Sequence, residues 1–409
     1  MHHIILTALL LSVTLSVSSG GKVLVFPLDG SHWVNMKVLV EELHSRGHSI
    51  TLVRASDSWY IKEESPHYST ITIPNAGTFV QEFFGTFGKR MLNIRKEKKF
   101  SWTHLMLQFE VINMISEMNR QMCEMMAMMF QDKDADIWLM RNDFTFEFPR
   151  PTMPNVVYMS GFQCKPARPL PVDLEEFVQS SGEHGVIIMS LGTVFAELPS
   201  HITEEIAAAF AQLPQKVIWR HTGAKPSTLG NNTLLVNWMP QNDLLGHPKT
   251  KVFVAHGGTN GVQEAIYHGI PIVGLPIVFD QPDNLSRMVA RGTAKVLDIA
   301  TLDRAVFVET LRAVLYEPSY RENMQRLSRI HHDQPMKPLD RAIFWIEFVM
   351  RNGGAPHLRT QSFRMSWVAY HSIDVILTLL MALLLSVIII FLAIKKCFSV
   401  LFKKKVKSD

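Results

Sequence analysis

Six short apolar runs in the second half of the chain, at 185–190, 216–220, 234–236, 251–255, 271–276 and 294–297, alternate with stretches of helical periodicity. That alternation leaves few choices: the strands lie parallel in one sheet, and helices cover both of its faces. The runs are mostly apolar, with charge confined to Lys216, Arg220, Lys251 and Lys295, as expected of strands largely buried on both sides. A sheet of this kind holds ligands in the crevice outside the carboxyl ends of its strands. The residues standing there are Ser190 to Thr193, Trp238 to Gln241, His256 to Gly261, and Asp280 with Gln281.

The front of the chain opens the same way. Residues 23–27 read as a strand, 28–32 as a loop and 35–44 as a helix with Val38, Leu39 and Leu43 on one face, stopped by Gly47; residues 50–53 read as a second strand. This is the start of another doubly wound unit. Residues 74–99 are less regular, and 105–130 form a long helical stretch in which Met114, Met118, Met122, Met125, Met126 and Met129 recur at helical spacing. The methionines are either a core stripe or an adaptable apolar surface for varied small molecules. Residues 136–140 predict a short strand, and 163–171, with three prolines, an interdomain linker, so that a second domain begins near Val172.

Two segments lie outside the globular fold. Residues 375–394 are 20 uncharged, apolar residues, enough to span a bilayer, and six lysines follow, from Lys395 to Lys407. Basic residues flank the cytosolic side. At the other end an apolar run at 4–17 followed by Ser18-Ser19-Gly20 reads as a leader cleaved near Gly20, although it has no Lys or Arg before it. The body is then lumenal or extracellular. Lys405 and Lys407 stand at the fifth and third positions from the end, a spacing that fits either a dilysine retrieval signal or a plain basic flank. The net charge of +4 is smaller than the charge of those six lysines, so the body is near neutral, which argues against a nucleic-acid partner. Three cysteines exclude a disulfide scaffold; Cys397 lies beyond the span, so Cys123 with Cys164 is the one lumenal pair available.

The chemistry concentrates between Trp238 and Asn284. Trp238-Met239-Pro240-Gln241 leads into His256-Gly257-Gly258-Thr259-Asn260-Gly261, then Glu264, Gly269-Ile270-Pro271 and Asp280-Gln281-Pro282-Asp283-Asn284. Glycines between a strand and a helix let backbone amides approach a pyrophosphate, and a helix start favours negative charge. A glycine-rich turn alone is a weak signal; the ordered run is strong. It resembles the UDP-glycosyltransferase signature. Gly30-Ser31-His32-Trp33, Ser190-Leu191-Gly192-Thr193, 155–161, 342–351 and the apolar tail resemble the UDP-glucuronosyltransferase branch of that family.

The resemblance covers nearly the whole chain and implies an α/β GT-B fold, two Rossmann-like lobes facing a cleft, plus one C-terminal transmembrane helix. The parts implied are a signal peptide at 1–20, an acceptor-binding lobe at 21–165, a UDP-sugar-binding lobe at 166–347, a return and juxtamembrane segment at 348–374, the span at 375–394 and a cytosolic basic tail at 395–409. By resemblance, Trp238 stacks on uracil, Gln241 contacts the nucleoside, and Ser190, Thr193, His256 and Asn260, with amides near Gly258 and Gly261, hold the diphosphate. Glu264 takes ribose hydroxyls, and Asp280 and Gln281 take sugar hydroxyls. His32 is the expected general base, since a neutral imidazole can remove a hydroxyl proton at neutral pH. UDP-glucuronate is the implied co-substrate, with UDP-glucose, UDP-galactose and UDP-N-acetylglucosamine as alternatives; no metal or other cofactor is implied. By the same resemblance the acceptor is a small lipophilic molecule, the location the endoplasmic reticulum membrane in type I orientation, and the partners include a homo- or hetero-oligomer with family members. Of two glycosylation sequons, at Asn231 and Asn284, the second lies inside the donor run, which makes Asn231 the expected acceptor.

One element of the pattern is missing. The family pairs its base with an aspartate at the end of a later strand of the first lobe, which orients the ring as in a triad. Here the methionine-rich stretch runs straight into Asp132-Lys133-Asp134-Ala135-Asp136, and neither these acids nor Asp143 occupies the matching place. The first lobe is internally shortened. Two functions follow: an active transferase, or a non-catalytic membrane-bound form that binds UDP-sugar or modulates complete relatives.

Overall fold

The computed structural model describes residues 20–27, 30–56, 58, 60–73, 135–192 and 198–405. The expected leader, the methionine-rich stretch, Cys123 and Thr193 lie outside these residues. In the first lobe, β1 (Lys22–Val25), β2 (Ser49–Ala55) and β3 (Ser69–Ile73) form a parallel sheet in that order. Helix α1 (Ser31–Ser45) joins β1 to β2 and buries Trp33, Val40 and Leu43 against Ile50 and Leu52. It begins four residues earlier than its apolar periodicity does, which puts His32 in its first turn rather than in the preceding loop. A second parallel pair, β4 (Trp138–Met140) with β5 (Val156–Tyr158), stands apart; among the described residues nothing hydrogen-bonds it to the first sheet. Both fragments leave apolar surface in solvent: Leu24 is 56% exposed, Ile71 51% and Trp138 48%.

The second lobe is a six-stranded, all-parallel sheet of β6 (Val186–Ser190), β7 (Lys216–Arg220), β8 (Thr233–Val236), β9 (Thr250–Ala255), β10 (Ile272–Gly274) and β11 (Ala294–Val296), in the order β11-β10-β9-β6-β7-β8. Side chains alternate between its faces. Ile187, Met189, Val217, Trp219, Val252 and Val254 point to α3 (Ser200–Phe210) and α7 (Arg304–Tyr316), where Ile206, Phe210, Phe307 and Leu311 meet them. Val186, Ile188, Ile218 and Phe253 point the other way, to α2 (Val172–Gln179), α5 (Thr259–His268), α6 (Gln281–Ala290) and α8 (Pro318–His332). Short α4 (Gln241–Leu245) joins that second face. Each fully buried aliphatic side chain contributes about 1.5–3 kcal/mol by area removed from water.

Helix α9 (Pro338–Asn352) returns to the first lobe, where Ile343 joins the core under α1 and Ala342 packs with Met159 and Phe162 of the β5 segment. Arg46 and His48 meet Glu347 on it at 3.7 and 3.4 Å. After the single-turn α10 (Trp367–Tyr370), α11 (Ile373–Lys405) carries an apolar segment, Ile373–Phe398, long enough to cross a membrane and unburied against the rest of the chain. The expected span at 375–394 lies within it. Cys164 is a free thiol.

The contrast between lobes has a measurable consequence. Phe253→Ala, at a fully packed position of the central strand β9, should destabilise by ~3–5 kcal/mol. Leu24→Ser should change stability by less than about 0.5 kcal/mol. Denaturant unfolding of the two variants in detergent checks this, and equal losses would mean that the first-lobe sheet is as tightly packed as the second.

Candidate active site

The chain leaves β6 toward β7 on one side and later fills β9, β10 and β11 on the other. β6 and β9 are therefore neighbours whose connections depart in opposite directions, and a crevice opens where they end. Their register sets Ser190 beside Ala255, and His256 follows at once. The His256 imidazole lodges between two glycines: a Cβ on Gly192 would lie 2.8 Å from the ring and one on Gly258 2.5 Å from it. Gly192 also has φ +78°, open to glycine at no steric cost. Burial pulls the His256 pKa down to about 4, against an opposing pull from the Ser190 backbone and Asp280. At neutral pH the ring is uncharged and offers one N–H. The Ser190 hydroxyl accepts from the Gly192 amide at 3.4 Å.

At one end of this crevice Trp238, just past β8, is 72% exposed and offers an open ring face. Nearby, the Gln241 side-chain amide donates to Glu264 at 2.6 Å. Burial raises the Glu264 pKa to about 7, with Gln241 opposing the shift. Gly261 lies over Phe253, where an added Cβ would come within 3.1 Å of the ring. At the other end, Asp280 accepts from Thr259 at 3.0 Å and from Asn284 at 2.7 Å. The residue before it, Phe279, is held at φ +59°, a left-handed conformation uncommon for a bulky side chain. Gln281 is buried, and its carbonyl oxygen accepts from the Ile277 and Val278 amides at 2.8 and 3.1 Å, which fixes the turn that presents Asp280. Asn231 is exposed ahead of β8, at the amino ends of the strands, whereas Asn284 is buried with its amide donating to Gly257, Thr259 and Asp280.

The first lobe brings three side chains to the same place. His32 keeps an exposed face, yet burial, followed by Arg141, lowers its pKa from 6.5 while Asp280 raises it. Asn35, one turn on, donates to Asn260 at 2.7 Å, and Arg141, after β4, donates to the same Asn260 oxygen. Asp280 is thus an electrostatic neighbour of His32, Arg141 and His256 together. Among the described residues none hydrogen-bonds the His32 ring. Asp143 is engaged elsewhere, 3.4 Å from His331 and accepting from the Thr145 amide at 3.0 Å, and Asp136 pairs with Arg359 at 3.1 Å. Asn35 and Arg141 carry no motif that sequence reading could have seized on; Asn35 lies in the second turn of α1 and Arg141 directly after β4, and only the docking of the lobes brings them to Asn260.

These features agree with comparisons to known proteins. The chain is 39% identical to UDP-glucuronosyltransferase 2B1 of Rattus norvegicus over 493 residues, covering 92% of this chain and 93% of the relative. It is 37% identical to UDP-glucuronosyltransferase 2A1 of the same organism over 520 residues, covering 99% and 98%. That second alignment is longer than the 409-residue chain, so at least 111 of its positions face no residue here. The calicheamicin glycosyltransferase CalG4 superposes with a TM-score of 0.54 at 16% identity, covering 82% of this chain and 99% of that structure, which establishes the two-lobed GT-B fold. The family model described as UDP-glucoronosyl and UDP-glucosyl transferase matches residues 21–133 and 86–408, and with the relatives above it makes this chain a glycosyltransferase of that family.

Proposed function

We propose that this chain transfers glucuronate from UDP-glucuronate to hydroxyl groups of small lipophilic acceptors, with inversion and with His32 as general base. The observation that carries the reading is the convergence on Asp280 of His32 and Arg141 from one lobe and His256 from the other. Uracil stacks on the open face of Trp238. The ribose meets Glu264 and Gln241. The diphosphate lies against the His256 N–H, Ser190, Asn260 and the amides around Gly258 and Gly261; Thr193, outside the described residues, is assigned to it by the family resemblance alone. Asp280, presented by Gln281, takes sugar hydroxyls. His32, neutral because its pKa is lowered, removes the acceptor proton. The acceptor oxygen then attacks the anomeric carbon, and UDP departs from the opposite face.

A second reading is favoured by one set of observations. The β4–β5 pair stands apart from β1–β2–β3, no described carboxylate orients His32, and the rat 2A1 relative has at least 111 positions without a counterpart here. On that reading the chain is a membrane-bound form that binds UDP-sugar without turning it over, alone or paired with complete relatives. The readings share a donor site, a cleaved leader, and a lumenal body in the endoplasmic reticulum with a cytosolic tail.

Three outcomes are expected. First, the full chain in detergent binds UDP in calorimetry, and His256→Ala weakens binding by about tenfold or more, the effect of a donor lost from a charged acceptor; unchanged affinity would remove His256 from the site. Second, transfer is compared for this chain, its His32→Ala variant, and a version with a relative's segment restored between Phe130 and Lys133. In the restored enzyme His32→Ala should cost ~100-fold to 10,000-fold. Its rate should fall with acidification only below pH 6.5, because the lowered pKa keeps His32 neutral above that value. Turnover by the unrestored chain that survives His32→Ala would overturn the general-base assignment; turnover only after restoration supports the second reading. Third, expression in cells with a secretory pathway should give a single glycan, lost in Asn231→Gln, since the Asn284 amide is buried and engaged. Protease treatment of sealed microsomes should remove only the tail.

A further inference from the structure

Arg141 is a charged group at the cleft to which the proposed mechanism gives no contact with substrate. It follows β4, so it stands at the carboxyl end of a parallel strand, the end that faces ligands. Its position is built from both lobes. The Arg141 backbone carbonyl accepts from the Gln263 side-chain amide, which also donates to Ser160 at 3.3 Å, while Gln163 donates to the Gln263 oxygen at 2.8 Å. One terminal nitrogen of the guanidinium donates to Asn260. The Nε is buried and has no partner. The Nε is thus turned into the protein, and the terminal nitrogens are the end of the guanidinium left to meet an acid, with a planar pair of donors that lysine cannot offer.

The donor carries two kinds of anion, and placement decides between them. In the proposed arrangement the diphosphate lies at the ends of β6 and β9 and the start of α5. Arg141 comes from the other lobe; it touches the diphosphate edge only through the Asn260 oxygen, to which it donates, and has Asp280, at the sugar end, as its first opposite charge. From this geometry we infer that Arg141 recognises the carboxylate of the transferred sugar and so selects UDP-glucuronate over neutral UDP-hexoses. The inference rests on the donor placement given under Proposed function. Asp280 and Arg141 then divide the sugar between them, the carboxylate accepting from hydroxyls and the guanidinium donating to the acid.

The test is binding rather than turnover, so it does not depend on the shortened lobe being active. Calorimetry on the full chain in detergent measures Kd for UDP, UDP-glucose and UDP-glucuronate in the parent, Arg141→Gln and Arg141→Lys, with thermal unfolding of each. The parent should prefer UDP-glucuronate to UDP-glucose. Arg141→Gln should weaken UDP-glucuronate by about tenfold or more and leave UDP and UDP-glucose within about twofold. Arg141→Lys, which keeps the charge but not the fork, should retain part of the preference, and it carries the test if the glutamine variant does not fold. Equal losses for all three nucleotides would make Arg141 a phosphate ligand and overturn the inference. A lower unfolding temperature with an unchanged preference would make it a brace between the lobes and overturn it as well. Failure of the parent to bind UDP at all would refute the donor site itself, and this inference with it.

Discussion

The pairing of β6 with β9 is the contact on which the rest of the molecule depends. These strands are distant in sequence and central in the sheet, and bringing them side by side creates the crevice at their ends. Ser190 and His256 stand side by side because of it. The same pairing aligns the start of α5, with Thr259 and Asn260, beneath the crevice. Phe253 on β9 supports α5 where Gly261 passes over it. Replacing either glycine that flanks His256 would push a methyl into the imidazole, so the sheet tolerates side chains on its faces but not on this rim.

The seam between the lobes is polar where it faces the cleft and apolar behind it. Asn260 receives hydrogen bonds from Asn35 and Arg141, and Gln263 ties Gln163, Ser160 and the Arg141 backbone to α5. Behind them α9 inserts Ile343 and Ala342 into first-lobe cores. A seam of hydrogen bonds gives register at modest net stabilisation, since each exchanges water for a protein partner. The apolar return helix supplies the attachment. This division suits a cleft whose walls must hold a fixed geometry around Asp280 without being welded shut.

Much of this could be read from the sequence, and the unread parts share a cause. The six strands of the second lobe were legible because each carries a short, mostly apolar run bounded by helical periodicity. The apolar helix at the end was legible by length alone. β3 was missed because Ser69-Thr70-Ile71-Thr72-Ile73 lies at an edge with little buried surface, and β5 because only three residues pair. The start of α1 was misplaced because Ser31, His32 and Trp33 carry no apolar period, although they are helical. At the site, residues within the ordered run were visible as a motif. Arg141 and Asn35 were not, because their significance lies in a contact across the lobes that no local pattern encodes.

A first lobe shortened as proposed would act on the two halves of the proposed reaction differently. Apart from Arg141, the groups assigned to the donor come from 190–281, and they are positioned by a six-stranded sheet whose inner strands β6 and β10 are buried throughout and β9 nearly so. The base comes from α1, whose support is a three-stranded sheet with apolar residues in solvent. Binding needs the first set; proton transfer needs both, held to fractions of an ångström. An imidazole without an orienting carboxylate samples both tautomers and several ring positions, and only one of them accepts the proton. Loss of an intervening segment would therefore bear on catalysis far more than on nucleotide binding, and the two proposed activities would become separable in a single chain.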